Sequence, residues 1–215
     1  MTAAEAGRPA SASTLRFVVV AALVMVGAHL LDGWAYRHLV LADVYEEDWG
    51  RMLRVMGFVP LWLLAGVALV LTDWPLRAER SARAAWGRGL LLVGSVAASG
   101  VLGEILKLLF RRERPRAHEG EYVFRALSER TFSTSGLALP SSHSIVAFGA
   151  AFMLARLFPR AAPVWYLLAA GCGLTRILAQ AHFVSDVALA ALAAWLVAAG
   201  LWKRWGALVP TGARH

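Results

Sequence analysis

Apolar runs close to membrane length recur six times in this chain, at about 15–35, 52–72, 88–110, 142–158, 162–180 and 184–203. A helix needs about 20 mostly apolar residues to cross the hydrocarbon of a bilayer. The pattern predicts an all-α integral membrane protein, with six transmembrane helices in one bundle and a short outer-loop region between helices 3 and 4. Composition agrees: 59% of residues are hydrophobic and 17% charged, where a soluble domain is nearer half apolar. The fourth run is short, and the prolines of "ARLFPRAAP" after it mark a turn. The first run follows Arg8 and Arg16, as in a signal peptide. It ends in His, Asp, Trp and Tyr rather than a small-residue cleavage site, so it is expected to remain as a span. Residues 15–205 read as a single membrane domain, between a mobile Ala-, Ser- and Pro-rich tail over 1–14 and a C-terminal tail over 206–215. The single cysteine, Cys172, lies inside an apolar run and reads as a small buried residue.

The formal net charge is +8. Apolar spans separate the basic clusters, so topology and anionic lipid explain them, and no nucleic-acid partner is expected. Arg8 and Arg16, then Arg77, Arg80, Arg83 and Arg88, then Arg156 and Arg160, then Lys203, Arg204 and Arg214 all fall on one side of a six-span topology. The positive-inside rule makes that side, with both termini, cytoplasmic. The acids Asp43, Glu46, Glu47 and Asp48 then lie outside. So does the loop 111–140, which holds six arginines and breaks the rule that the other loops obey. A basic cluster on the wrong side calls for another task, such as holding an anion.

Three groups converge on that outer side. In "EILKLLFRRERPR", Lys107, Arg111 and Arg114 are spaced i, i+4, i+7, on one face if the helix runs to about Arg114, where Pro115 disfavours it. Glu104 lies one turn before Lys107 and can pair with it. Arg112 and Arg116 are expected to snorkel to the headgroups. In "LPSSHSIV", Ser141 or Ser142 is an N-cap, and the helix N-terminus behind it suits phosphate. His143 falls in its first turn. In "TRILAQAHFVSD", His182 and Asp186 are i, i+4 and follow Arg176. A carboxylate on one ring nitrogen fixes the tautomer and readies the other nitrogen as a nucleophile. Three cations, a helix N-terminus, two histidines and an orienting acid suit phosphoryl transfer without a metal. No Asp/Glu cluster of the kind Mg²⁺ prefers accompanies the histidines, so neither metal nor cofactor is expected.

These stretches resemble the type 2 phosphatidic-acid phosphatase family, which shares its catalytic core with vanadium haloperoxidases. The family pattern K-x6-R-P, P-S-G-H and S-R-x5-H-x3-D reads here "KLLFRRERP" from Lys107, "PSSH" from Pro140 and "TRILAQAHFVSD" from Thr175. The resemblance implies that His182 attacks phosphorus, Asp186 orients it and His143 protonates the leaving group. It also implies that Lys107, Arg114, Arg176, Ser141 and the N–H of Ser142 hold the phosphate. Ser142 stands where the family has glycine and Thr175 where it has serine. Ser142 is harmless in a helical first turn and costly in a left-handed one; the first is expected.

The resemblance implies a lipid phosphatase acting through a phosphohistidine, metal-independent, in the bacterial inner membrane with its site on the outer face. Undecaprenyl diphosphate, phosphatidylglycerophosphate, phosphatidic acid and the phosphates of lipid A are candidate substrates, and the sequence does not choose among them. Two alternatives stay open: a phosphotransferase using the same site, and a non-catalytic transporter or scaffold in which His29, Asp32 and Glu104 serve as intramembrane charges. His29, Asp32 and Tyr36 either line the substrate entrance or pack on neighbours. The sequence does not report an oligomeric state.

Overall fold

The computed structural model describes residues 12–75 and 82–209. It is helical: α1 (Ala12–His38), α2 (Asp48–Val55), α3 (Val59–Asp73), α4 (Ala82–Phe110), α5 (Ser142–Leu157), α6 (Ala162–Leu178) and α7 (Val184–Trp205), with short 3₁₀ turns between and after them. Among the described residues there is no β-strand, only two isolated bridges in the α4–α5 loop, Arg112 with Phe124 and Glu113 with Leu137. Arg77, Glu79 and Arg80 lie outside the described residues, as do the tail residues before Ala12 and those after Val209. Helix already runs over 12–14, part of the expected N-terminal tail. At the other end Gly206–Leu208 forms a 3₁₀ turn, and Val209 is buried against Leu91, Met153, Leu157 and Ala198.

Among the described residues four helices are long and apolar enough to cross a membrane: α1, α4, α6 with its preceding 3₁₀ turn, and α7. The span expected at 52–72 is instead two helices, α2 and α3, meeting at 64° and counting together as at most a fifth crossing. Gly57 lies in the break, and Pro60, which has no N–H to continue a helix from α2, stands in the first turn of α3. The expected fourth span, α5, has 16 residues and is about 24 Å long at 1.5 Å per residue, short of the roughly 30 Å hydrocarbon core.

That short helix is the centre of the molecule. It packs against α4, α6 and α7, and eleven of its 16 residues are buried. Ile145, Val146, Ala150 and Leu154 of α5 meet Trp62, Leu92, Val96, Ala190, Ala193 and Ala194 of α3, α4 and α7. A helix apolar all round and enclosed by others presents little to lipid, so its length is not set by bilayer thickness. The outer helices do the reverse, exposing Leu15, Leu23 and Leu30 of α1, Leu64 and Leu71 of α3, and Leu167 of α6. Between α3 and α4 the backbones approach at two glycines, and a Cβ on Gly89 would lie 2.5 Å from the carbonyl oxygen of Gly66.

The α4–α5 loop is held by the arginine that ends α4. Arg111 takes a left-handed conformation (φ 54°), and its N–H caps the carbonyl of Lys107 at 2.8 Å. Glycine usually fills such a position. The buried guanidinium offsets the strain by donating to the carbonyls of Arg125 (3.1 Å), Thr131 (3.3 Å), Ala126 (2.8 Å) and Glu129. The expected shared face of Lys107, Arg111 and Arg114 does not form, because α4 stops at Phe110 and Arg111 turns into its own loop. Arg125 is likewise internal, pairing with Glu113 at 2.7 Å. Much of the basic character of this loop is therefore architectural. Arg111→Ala is expected to cost at least about 1.5 kcal/mol, the low end for a hydrogen bond to a charged group, and to raise amide exchange selectively over 122–135. Unchanged exchange there would contradict this role.

Candidate active site

The C-terminal ends of α4 and α6 and the N-terminal ends of α5 and α7 meet at one end of the bundle, with the α2–α3 break beside them. Each brings a residue expected from the sequence. Lys107 is in the last turn of α4 and is buried. Arg114 is extended (ψ 139°) just before a 3₁₀ turn. Arg176, also buried, is in the last turn of α6. Lys107 and Arg114 sense each other's charge, as do Arg114 and Arg176. Like charges held together repel, and an anion between them relieves the repulsion. The Nε atoms of Arg114 and Arg176 are both buried with no hydrogen-bond partner, which leaves donors free for an anion's oxygens.

The start of α5 completes this floor. Ser141 is its N-cap, with Oγ accepting from the N–H of Ser144 at 3.4 Å and lying 3.0 Å from the Ser144 hydroxyl. Ser142 opens the helix in ordinary helical geometry, so its side chain is tolerated where the family has glycine. Its hydroxyl is also used. Lys107 Nζ donates to Ser142 Oγ, and Ser142 donates to Glu104 Oε1 at 2.8 Å. Glu104 lies 3.4 Å from Lys107 Nζ, the pairing expected from their spacing. His143 is half-buried and lies within electrostatic reach of Arg176, His182 and Lys107. Gly57, in the α2–α3 break, backs directly onto it: a Cβ there would meet His143 Cβ at 2.5 Å and Cα at 2.7 Å.

His182 is placed by a turn rather than by a helix face. α7 begins only at Val184, so the i, i+4 spacing of His182 and Asp186 does not put them on one helix face. The chain instead reverses at Gln180 (φ 51°). The carbonyl of Arg176 accepts from the N–H of both Ala181 (3.1 Å) and His182 (3.3 Å). That turn brings His182 Nδ1 to 3.5 Å from Asp186 Oδ2, and Nδ1 has no closer partner. Burial pushes the His182 imidazole down to about 4, with Asp186 pulling the other way, so the ring is neutral and keeps a nucleophilic lone pair at neutral pH.

Asp186 has three partners where the sequence suggested one. Oδ2 also accepts the N–H of Phe183 at 2.7 Å, capping its own helix, and Oδ1 pairs with Arg112 Nη2. Arg112 was expected at the headgroups. It is instead 2% exposed, hydrogen-bonded to Ser185 Oγ at 2.8 Å, and centred over the rings of Tyr122 (5.1 Å) and Phe183 (5.0 Å). The reason is the end of α4: once the helix stops at Phe110, the next side chains no longer follow its surface. Arg116 is exposed, as expected. Tyr45 was not singled out from the sequence. Its hydroxyl accepts from Arg176 Nη1 at 2.6 Å and donates to the carbonyl of Thr175 at 3.1 Å, and Arg54 lies over its ring at 4.6 Å. No motif or spacing signals it. The Thr175 hydroxyl donates to the carbonyl of Cys172 at 2.8 Å, within its own helix. Cys172 is buried and free. Among the described residues no three His, Cys, Asp or Glu side chains gather as metal ligands.

His29, Asp32 and Tyr36 have different hydrogen-bond partners, although Tyr122 packs edge-on to the His29 ring at 6.2 Å and donates to Asp32 at 2.7 Å. His29 is exposed and bonds the carbonyl of Met25 in its own helix, the Tyr36 carbonyl accepts from Gln180 Nε2, and Asp32 is buried. A cavity of about 680 Å³ runs between α3 and α4 and reaches the site at Ser142 and His143. Apart from Glu104 at its inner end its walls are mostly apolar, including Phe58, Val101, Ile105 and Leu108.

Two arginines with unpartnered Nε atoms, the start of α5 and a histidine beside a carboxylate thus gather at one end of an apolar helical bundle. The model of the PAP2 superfamily matches residues 88–209, more than half of the chain, and the chain belongs to that superfamily. The protein named lipid A 1-phosphatase from Rhizobium johnstonii is 36% identical over 125 residues, covering 56% of this chain and 50% of the relative. A second protein of that name, from Rhizobium etli, is 35% identical over 125 residues, covering 56% and 53%. The chain thus spans about half the length of the curated relatives it matches. No solved structure matches it.

Two variants test the geometry. Arg112→Ala strands Asp186 as a buried, uncompensated charge and is expected to cost about 3–5 kcal/mol, where a snorkelling arginine would cost almost nothing; thermal unfolding in detergent reads the difference. Gly57→Ala drives a methyl group into His143, with an expected loss of about 1–3 kcal/mol from overpacking and a fall in turnover larger than that of a methyl added on α3 itself.

Proposed function

We propose that this chain is an integral-membrane hydrolase that removes phosphate from a lipid phosphate or diphosphate through a phosphohistidine on His182. The observation that carries the reading is the pairing of a buried, neutral His182 beside Asp186 with two arginines whose buried Nε atoms have no partner. Lys107, Arg114, Arg176 and the N–H groups at the start of α5 hold the phosphate oxygens and take up the charge that develops on them. His182 Nε2 attacks phosphorus while Asp186 holds Nδ1–H. The phosphorus–oxygen bond to the lipid breaks, and His143 delivers a proton to the departing oxygen. Water then attacks the phosphohistidine, giving its proton to His143 and releasing inorganic phosphate and free His182.

The lipid reaches this site sideways. Its phosphate lies among the cations at the end of the bundle, and an acyl chain occupies the apolar cavity between α3 and α4 beside His143. The basic clusters at the opposite ends of the spans favour a site on the outer face of a bacterial inner membrane, with both termini cytoplasmic. Relatives named for lipid A make the 1-phosphate of a lipid A-type glycolipid the first substrate to test, ahead of undecaprenyl diphosphate, phosphatidylglycerophosphate and phosphatidic acid. The cations already neutralise the phosphate, so no metal is required.

Purified full-length protein is expected to release phosphate from at least one of these lipids in EDTA as fast as in Mg²⁺. His182→Ala and His143→Ala should each lower the rate by about three orders of magnitude or more. Release abolished by EDTA, or undiminished in His182→Ala, would overturn the mechanism. No release by the wild type from any of the four lipids would overturn the hydrolase reading.

A further inference from the structure

Asp32 is a carboxylate on α1, a helix that otherwise meets the bundle mainly along α7. It is 1% exposed, and it lies outside the matched region 88–209. An ionised group so deeply buried is costly unless it is fully partnered, and Asp32 is partnered at each oxygen. Oδ1 accepts the backbone N–H of Ser185 at 2.9 Å, and Oδ2 accepts the Ser185 hydroxyl at 2.5 Å and the Tyr122 hydroxyl at 2.7 Å. Burial, and after it the Asp32 carboxylate, push the Tyr122 phenol well above its ordinary value, so it remains a donor.

These contacts lead to the nucleophile. Ser185 is the second residue of α7, and its N–H is one of those that a helix start leaves unsatisfied. Asp186 caps the same turn through Phe183 N–H at 2.7 Å. The first turn of α7 is thus clamped by two carboxylates, its own and one from α1. The Ser185 hydroxyl has a single proton. It accepts from Arg112 Nη2 at 2.8 Å, so that proton goes to Asp32. The same Arg112 nitrogen pairs with Asp186 Oδ1, and Asp186 Oδ2 faces His182 Nδ1 at 3.5 Å. One buried arginine is therefore shared between the orienting acid and a network anchored on α1, and every hydrogen bond in that network has a fixed direction.

We propose that Asp32 is a positioning residue for His182: through Ser185 and Arg112 it fixes the place and charge of Asp186, and so the tautomer and orientation of the nucleophile. This rests on the phosphohistidine reading above. A small displacement of a reacting group, caused from a distance, can lower a rate about a hundredfold, so the effect belongs in turnover rather than in substrate binding.

The variants Asp32→Asn and Ser185→Ala, made in the full chain and purified in detergent, separate positioning from mere anchoring. Ser185→Ala keeps the Ser185 N–H bond to Asp32, and with it the tie between α1 and α7. It removes only the hydroxyl that links Asp32 to Arg112. The expected result for each variant is a fall in kcat of about tenfold or more, with KM and competitive inhibition by inorganic phosphate within about twofold of wild type. The double variant should be little worse than either alone, since both break one path. A readout that needs no turnover is the ¹⁵N spectrum of His182, where wild type shows the proton on Nδ1 and both variants shift population to Nε2. Ser185→Ala with wild-type kcat and a wild-type tautomer would overturn the proposal, even if Asp32→Asn fails to fold. A wild type inactive on every lipid phosphate would sink the hydrolase reading alone, and the tautomer measurement would still decide the role of Asp32.

Discussion

The buried pair between Arg112 and Asp186 is the contact on which the rest of this end of the bundle depends. A carboxylate with no exposed surface, set among apolar helices, must be paired or protonated. Asp186 is paired, and its partner comes from 74 positions earlier in the chain, at the start of the α4–α5 loop. The pair therefore fixes how that loop crosses the mouth of the bundle. It also leaves the other oxygen of Asp186 available to cap α7 and to face His182. Helix capping, loop placement and the surroundings of His182 are three results of satisfying one buried charge.

The loop shows how basic residues divide their work. Arg111 and Arg125 spend their donors on carbonyls and on Glu113 and so give the loop its shape. Arg112 spends its charge on Asp186. Arg114, from the same four-residue run, forms no ion pair with a carboxylate among the described residues and lies within electrostatic reach of Arg176. The difference follows from where α4 ends. Had the helix continued to Pro115, Arg111 and Arg114 would have shared a face with Lys107 and competed for one anion. The left-handed turn at Arg111 sends successive side chains in different directions, so neighbouring arginines take different partners.

The central position of α5 has a similar economy. Enclosed by α4, α6 and α7, it need not match the bilayer, and its N-terminus can stop below the surface with Ser141, Ser142 and His143 inside the bundle. Unsatisfied N–H groups at a helix start attract an anion most strongly where little water competes. Gly57 lets the α2–α3 break close over His143, and Tyr45 supports Arg176 from the loop before α2. Residues from the N-terminal part of the chain thus finish a site whose two histidines and Asp186 come from the second half.

The sequence alone determined the helical membrane character, through the length of its apolar runs, and the set of residues gathered at the site, through the spacing of Lys107, Arg114, Ser141, His143, Arg176, His182 and Asp186. Both are visible because they depend on local order along the chain. Helix-cap chemistry at Ser141 and the Glu104–Lys107 pair are local in the same way. Tertiary structure decided the rest. The break between α2 and α3, the short enclosed α5, the buried role of Arg112, and the partners of Asp32 and Tyr45 each depend on what lies opposite in space. Asp32 and Ser185 are 153 positions apart in the chain. An acid within an apolar run signals that a partner must exist, because the charge cannot be left bare, but periodicity carries no information about which helix supplies it. Only packing does, since it is packing that removes the water and makes the choice of partner matter.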